Sequence, residues 1–170
     1  FALHTIAAPT GVIGYRSGGI LAGADQLHIV VDGKQTHGAV PWAGVDPIAV
    51  ASQIVLALQL IPSRQLNVQS PTVISIGSIH GGLRGNIIPD RVEMEGTIRI
   101  LDPSIRDDVH HRIRRTANSI AESAGAGVTV NIEAYAPVTF NDPELTAKML
   151  PTLRRVAGPG LIEVPPVTPS

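Results

Sequence analysis

Six histidines and no cysteine leave imidazole, carboxylate and guanidinium chemistry open, with no thiol nucleophile, disulfide framework or thiolate metal site. His37 lies in Gly33-Lys34-Gln35-Thr36-His37-Gly38-Ala39-Val40-Pro41, a polar glycine-rich loop between a strand-like run and a long apolar helix. Loops held between rigid elements are where chemistry is commonly placed; the alternative is a plain connection with a solvated imidazole. A second glycine-rich stretch, His80 to Asp90, carries His80 and Asn86. The Asn86 amide can donate to a carboxylate, or the residue can serve as a left-handed turn position. Arg99 falls on the polar side of an alternating run, where a guanidinium can grip a carboxylate with two parallel hydrogen bonds. It could equally pair across strands with Glu93 or Glu95. His4 reads as a core or edge histidine. Trp42, the only tryptophan, sits beside the His37 loop and could line a pocket or a subunit seam. His28 reads as surface, His80 could line a cleft, and His110-His111, among Arg112, Arg114 and Arg115, read as a solvated helix face.

The elements that must hold these residues follow from periodicity. Leu27, Ile29 and Val31 alternate with Gln26, His28 and Asp32, a half-buried strand. Asp46-Pro47 is a good helix start, with a capping carboxylate and a proline at the first helical position. The next residues, to Ile61, are apolar nearly all round, broken only by Ser52, Gln53 and Gln59. Such a helix is covered on two sides, by its own sheet and by something else such as another subunit; Pro62 is expected to end it. A β-branched run from Thr72 to Ile79 predicts a second strand. In the third, Val92, Met94, Gly96, Ile98 and Ile100 oppose Arg91, Glu93, Glu95, Thr97 and Arg99, which implies one buried and one wet face. Asp102-Pro103-Ser104 opens a second helix, with Asp107 in a capping-box-like position and Gly125 as its stop. Val128, Val130, Ile132 and Ala134 mark a fourth strand, and Asn141-Asp142-Pro143 begins a third helix.

The order βαββαβ predicts an α+β fold, a ferredoxin-like antiparallel sheet with both helices on one face. Residues 1–23 and 137–170 are each too small to fold alone, so the unit at 24–136 is expected to be inserted in a larger α/β domain, the chain being a fragment of it. A net charge of −1 gives no electrostatic case for nucleic acid or a membrane surface. An RNA-binding sheet also needs aromatics where this one has Gln26, His28, Val30, Glu93, Glu95 and Thr97. No leader or 18–20-residue apolar span is read in the sequence, and a cytoplasmic location is expected.

Four motifs in order carry a resemblance. Gly33-Lys34-x-x-His37-Gly38-Ala39-x-Pro41 with Gly44-Val45-Asp46-Pro47 resembles the start of the dimerisation (lid) domain of the M20 metallopeptidase/amidohydrolase family. Gly81-Gly82, Asn86-x-Ile88-Pro89-Asp90 and Gly96-Thr97-x-Arg99 resemble its later signatures. Phe1-Ala2-Leu3-His4 with Pro9-x-Gly11 resembles the catalytic-domain strand before the lid, and Asn141-Asp142-Pro143 to Gly158 with Pro165-Pro166 the return after it. The nearest branch cleaves N-acyl amino acids, as hippurate hydrolases do.

The resemblance implies a homodimer formed through the lid. It also implies a parent enzyme with two divalent metal ions, zinc, manganese or similar, that hydrolyses small amides bearing a free carboxylate. It gives His37 a role as hydrogen-bond donor to the developing oxyanion in a partner subunit, Asn86 and Arg99 a role in substrate binding, and His4 a role as metal ligand. The other ligands and the general base have no counterpart here, so this chain alone is expected to hold no stable metal centre and to be inactive. The competing reading is a stand-alone ferredoxin-like small-ligand-binding or regulatory module, which leaves His4, Asn86 and Arg99 unexplained.

Overall fold

In the computed structural model, residues 3–5 and 9–166 are described; Phe1 and Ala2 of the first motif lie outside them. The elements run β1 (Ile13–Tyr15), β2 (Gly18–Leu21), β3 (Gly23–Asp32), β4 (Thr36–His37), α1 (Pro47–Leu58), β5 (Thr72–Gly81), β6 (Ile87–Ile88) and β7 (Arg91–Ile100). They continue with α2 (Arg106–Ser123), β8 (Gly127–Ala136), β9 (Thr139–Asn141), α3 (Pro143–Ala157) and β10 (Leu161–Glu163).

The four long strands form one antiparallel sheet in the order β5-β7-β3-β8. With α1 after β3 and α2 after β7, this is the βαββαβ connectivity that the sequence pattern predicts. Alternation decides which face is buried. Leu27, Ile29, Val31, Val92, Met94 and Ile98 pack against Val50, Ile54 and Leu58 of α1 and Val109, Ile113 and Ala117 of α2. Each such fully buried aliphatic side chain contributes roughly 1.5–3 kcal/mol relative to exposure. The opposite face is polar and carries Gln26, His28, Glu95, Asn131 and Glu133 around a broad, open concavity.

Asp46 caps α1 by accepting from the Ile48 and Ala49 N–H groups (2.9 and 3.3 Å). Pro62 does not end the helical run. A π-helical turn, Ile61–Gln65, carries the chain past it, since the wider turn tolerates the missing N–H and the ring. Pro47–Gln65 is thereby long and apolar enough, by length and composition, to cross a membrane, which corrects the expectation that no such run exists. Val50, Ala51, Ile54, Leu58 and Ile61 are buried against the sheet, the packing of a core helix. Ahead of α2, Asp102 caps a 3₁₀ turn, Pro103–Ile105, by accepting from the Ser104 N–H and hydroxyl (2.9 and 2.6 Å). The helix α2 itself has no side-chain cap, which corrects the capping-box reading of Ser104 and Asp107.

The flanking pieces pair with each other. β1 runs parallel to β10, and β2 runs antiparallel to β9 as a two-stranded ribbon. Of these four strands only β1 is legible in sequence, because the other three are short or glycine-rich.

Candidate functional site

His37 and Asn86 are brought together by a two-residue ladder. Thr36 and His37 pair with Ile88 and Ile87, and the Gly38 N–H donates to the Asn86 carbonyl (2.8 Å). The loop is pinned at its base. Gly33 donates to the Asp90 carbonyl (2.7 Å), and Lys34 exchanges two backbone hydrogen bonds with Val45 (2.9 and 3.0 Å). A Cβ at Gly33 would press into the Val45 carbonyl and the Pro47 ring, so the close return of the chain requires glycine there. A 3₁₀ turn, Pro41–Ala43, follows and leaves Trp42 80% exposed.

The ring of His37 is oriented by its own loop. The Ala39 N–H donates to Nδ1 (3.1 Å), so the neutral imidazole carries its proton on Nε2. Nε2 has no partner among the described residues, and the side chain is exposed. The left-handed alternative for Asn86 falls away, because among the described residues only glycines have positive φ.

Arg99 sits elsewhere. It is on the polar face of β7, in register with Ala24 of β3 and Val73 of β5. The His37 end of β7 begins at Arg91, eight residues away, or about 26 Å along the strand. The ion pair considered for Arg99 is made by Arg91 instead, whose Nε lies 2.8 Å from Glu93. Arg99 has no ion pair among the described residues. Within one chain, then, the structure joins His37 to Asn86 and separates both from Arg99.

His4 is exposed, and its Nδ1 donates to the Thr5 carbonyl (2.8 Å), which leaves the lone pair on Nε2. That tautomer suits a ligand. Among the described residues, however, no group of three His, Cys, Asp or Glu side chains could hold a metal ion. The donor set for a metal centre is therefore not assembled by them.

The ladder that ties the His37 loop to the Asn86 turn shows that the separate motifs form one structural unit. A family model described as a peptidase dimerisation domain, M20_dimer, matches residues 21–125. The chain belongs to the M20 peptidase dimerisation-domain family. It is 40% identical over 169 residues to thermostable carboxypeptidase 2 of Saccharolobus solfataricus, covering 98% of this chain and 42% of that protein. It is 38% identical over 134 residues to N-acetylcysteine deacetylase of Bacillus subtilis, covering 79% of this chain and 35% of the relative. A solved Bacillus subtilis protein, described as a dinuclear metal binding peptidase of the M20 family, superposes with a TM-score of 0.72 at 29% identity, over 96% of this chain and 40% of that one. The chain thus spans about two fifths of the length of the carboxypeptidase it matches.

One further polar cluster in this M20 dimerisation domain has no counterpart among the sequence expectations. Asp25 is 2% exposed yet charged, and it faces the helices. Arg106 grips it through Nε (3.1 Å) and a second guanidinium nitrogen, and His110 Nε2 lies 2.6 Å from its Oδ2. His110 therefore does not belong to a solvated face. It is one turn beyond Arg106 on the edge of the buried stripe of α2. The legible signal was Asp25 itself, a carboxylate continuing the alternation of Leu27, Ile29 and Val31. Burial pushes its pKa up, but the hydrogen bonds and positive charge of Arg106 and His110 outweigh this and hold it below the ordinary carboxylate value. A carboxyl with a depressed folded-state pKa contributes stability above its unfolded value and loses it as pH falls through the folded one. Asp25→Asn in the intact protein is expected to cost about 3–5 kcal/mol at neutral pH, because it leaves Arg106 uncompensated. Urea midpoints of the dimerisation-domain transition should show the gap between wild type and variant closing in acid, below the ordinary carboxylate range.

Proposed function

We propose that this chain is the lid of a metal-dependent amidohydrolase that cleaves N-acyl amino acids or related small amides with a free carboxylate. The relatives named above, a carboxypeptidase and a deacetylase, both cleave amides beside a carboxylate-bearing residue, and their family includes a dinuclear metal binding peptidase. The divalent metals would be held mainly by the remainder of the protein. This chain's contribution is to bind, orient and donate hydrogen bonds.

The observation that carries the reading is the division of polar groups between the two ends of the sheet. Arg99 is near the linker ribbon, at the end where the lid joins the flanking segments. His37 and Asn86 are at the far end, about 26 Å along the strand. We therefore assign Arg99 to the substrate carboxylate in its own subunit. His37 Nε2–H and the Asn86 amide are assigned to the substrate bound at the partner's site. There a preoriented N–H meets charge that develops on the carbonyl oxygen only in the transition state.

Such a site needs a homodimer, and the lid has a surface for one. Leu56 is 72% exposed on the outer side of α1, with Ile48 also exposed on that helix and Leu60 exposed just beyond its end. β5, the neighbouring edge strand, leaves Ile79 exposed. Leu56→Arg in the full-length protein is expected to shift the dimer to monomer at micromolar concentration, read by light scattering, with the lid still folded. An unshifted mass would remove α1 from the interface.

Arg99→Lys tests the substrate assignment. It keeps the charge but loses the planar fork, so KM for carboxylate substrates should rise roughly tenfold. An amide lacking the carboxylate should be hydrolysed as by wild type; equal loss on both would contradict the role.

A further inference from the structure

The buried cluster of Asp25, Arg106 and His110 stands where the two linkers enter and leave the lid. β2 and β9 form the linker ribbon, and each joins the sheet within a few residues, β2 through Ala22 into β3 and β9 from β8 through Pro137 and Val138. At that junction the pairing of β3 with β8 is irregular, with β8 carrying one extra residue, Tyr135, between the partners of Ala24 and Asp25. The backbones crowd there. A Cβ on Gly23 would lie 3.2 Å from both the Ala136 carbonyl and the Val138 nitrogen. A small pocket of about 40 Å³ lies between Asp25, Arg106, Gly23, Pro137 and Val138.

The same short stretch carries Arg99. Ala24 is in register with Arg99, and the Thr97 hydroxyl donates to the Asp25 carbonyl (3.3 Å). Whatever fixes Asp25 therefore fixes the backbone on which Arg99 is mounted and the root of the ribbon together.

We propose that Asp25, Arg106 and His110 are positioning residues, a buried clasp that locks the root of the linker ribbon and so sets the angle at which the lid presents Arg99 to the substrate. The inference rests on the reading of Arg99 given above. Its physical basis is geometric specificity. A buried ion cluster contributes little net stability compared with apolar side chains of similar volume, but it has few acceptable geometries. An Arg fork on one carboxylate fixes both distance and plane. A junction of glycine, proline and a bulge offers the backbone no comparable constraint of its own.

The test uses the full-length protein and two variants. Arg106→Lys keeps the charge and loses the fork. The triple variant Asp25→Leu, Arg106→Met, His110→Leu replaces the whole cluster by apolar groups, so it keeps the fold even where the single variant does not. In both, amide hydrogen exchange should accelerate over residues 18–25 and 134–141 while 29–31 and 92–98 stay protected. KM for a carboxylate-bearing substrate should rise about tenfold, a displacement effect of well under the hundredfold that a 1 Å error can cause, with a smaller change in kcat. Wild-type exchange in the linkers of the folded triple variant would overturn the clasp. Faster linker exchange with KM unchanged would overturn its link to substrate binding; if Arg99→Lys also left KM unchanged, the assignment of Arg99 would fail with it. Arg99→Lys raising KM while the clasp variants behave as wild type would overturn the clasp alone.

Discussion

In the full-length protein, His37→Ala is expected to lower turnover by about 10²–10³, the usual consequence of removing one donor to a developing oxyanion. Metal content should not change, because His37 belongs to no donor cluster among the described residues and its loop is anchored by backbone bonds that do not involve the ring. KM should move little, since the hydrogen bond strengthens only as negative charge appears on the carbonyl oxygen. The tautomer sharpens the expectation. With Nδ1 occupied by the Ala39 N–H, only Nε2 can donate, so His37→Asn should fail to restore activity unless its amide reaches as far as Nε2. His37→Gln, with the longer side chain, is the substitution with the better prospect of partial rescue. Turnover within twofold of wild type for His37→Ala, at full metal loading, would remove His37 from the chemistry.

The four long strands and two helices were legible because each announces itself locally. In β7 every second residue is apolar over the whole strand, and Asp46-Pro47 states where α1 begins. What local pattern does not reveal is pairing at a distance. β4 and β6 are two residues each and meet only because the chain folds their loops together, so nothing in either stretch predicts that His37 and Asn86 are neighbours. The alternation of β7 places Arg99 on the wet face, yet its distance from His37 depends on register. Register in turn depends on β7 running antiparallel to β3 along its full length. Pro62 misled for a different reason. A proline forbids an ordinary α-helical hydrogen bond, but a π turn avoids the clash, and the apolar residue Ile61 is buried in that turn. Asp25 was visible as a charge on an apolar face. Its partners Arg106 and His110 looked solvated because they are flanked by charged neighbours, although their spacing of four places them on one side of α2.

The separation of His37 from Arg99 makes a sharp prediction about which subunit each residue serves. Take two full-length variants, His37→Ala and Arg99→Ala, each nearly inactive alone, and let their subunits exchange. Random reassociation of a two-fold symmetric dimer leaves about half the molecules as heterodimers. If His37 and Arg99 act on the same substrate from different subunits, each heterodimer has one site built from two intact contributions and one built from two defective ones. Activity should then recover to about one quarter of wild type. If both residues served the substrate of their own subunit, every site in the mixture would keep one defect and no recovery would occur. The outcome does not depend on the identity of the acyl group or the metal, only on geometry. The expectation rests on the strand itself: about 26 Å of β7 lies between Arg91, at the His37 end, and Arg99, and no rotamer of a histidine or an arginine spans it.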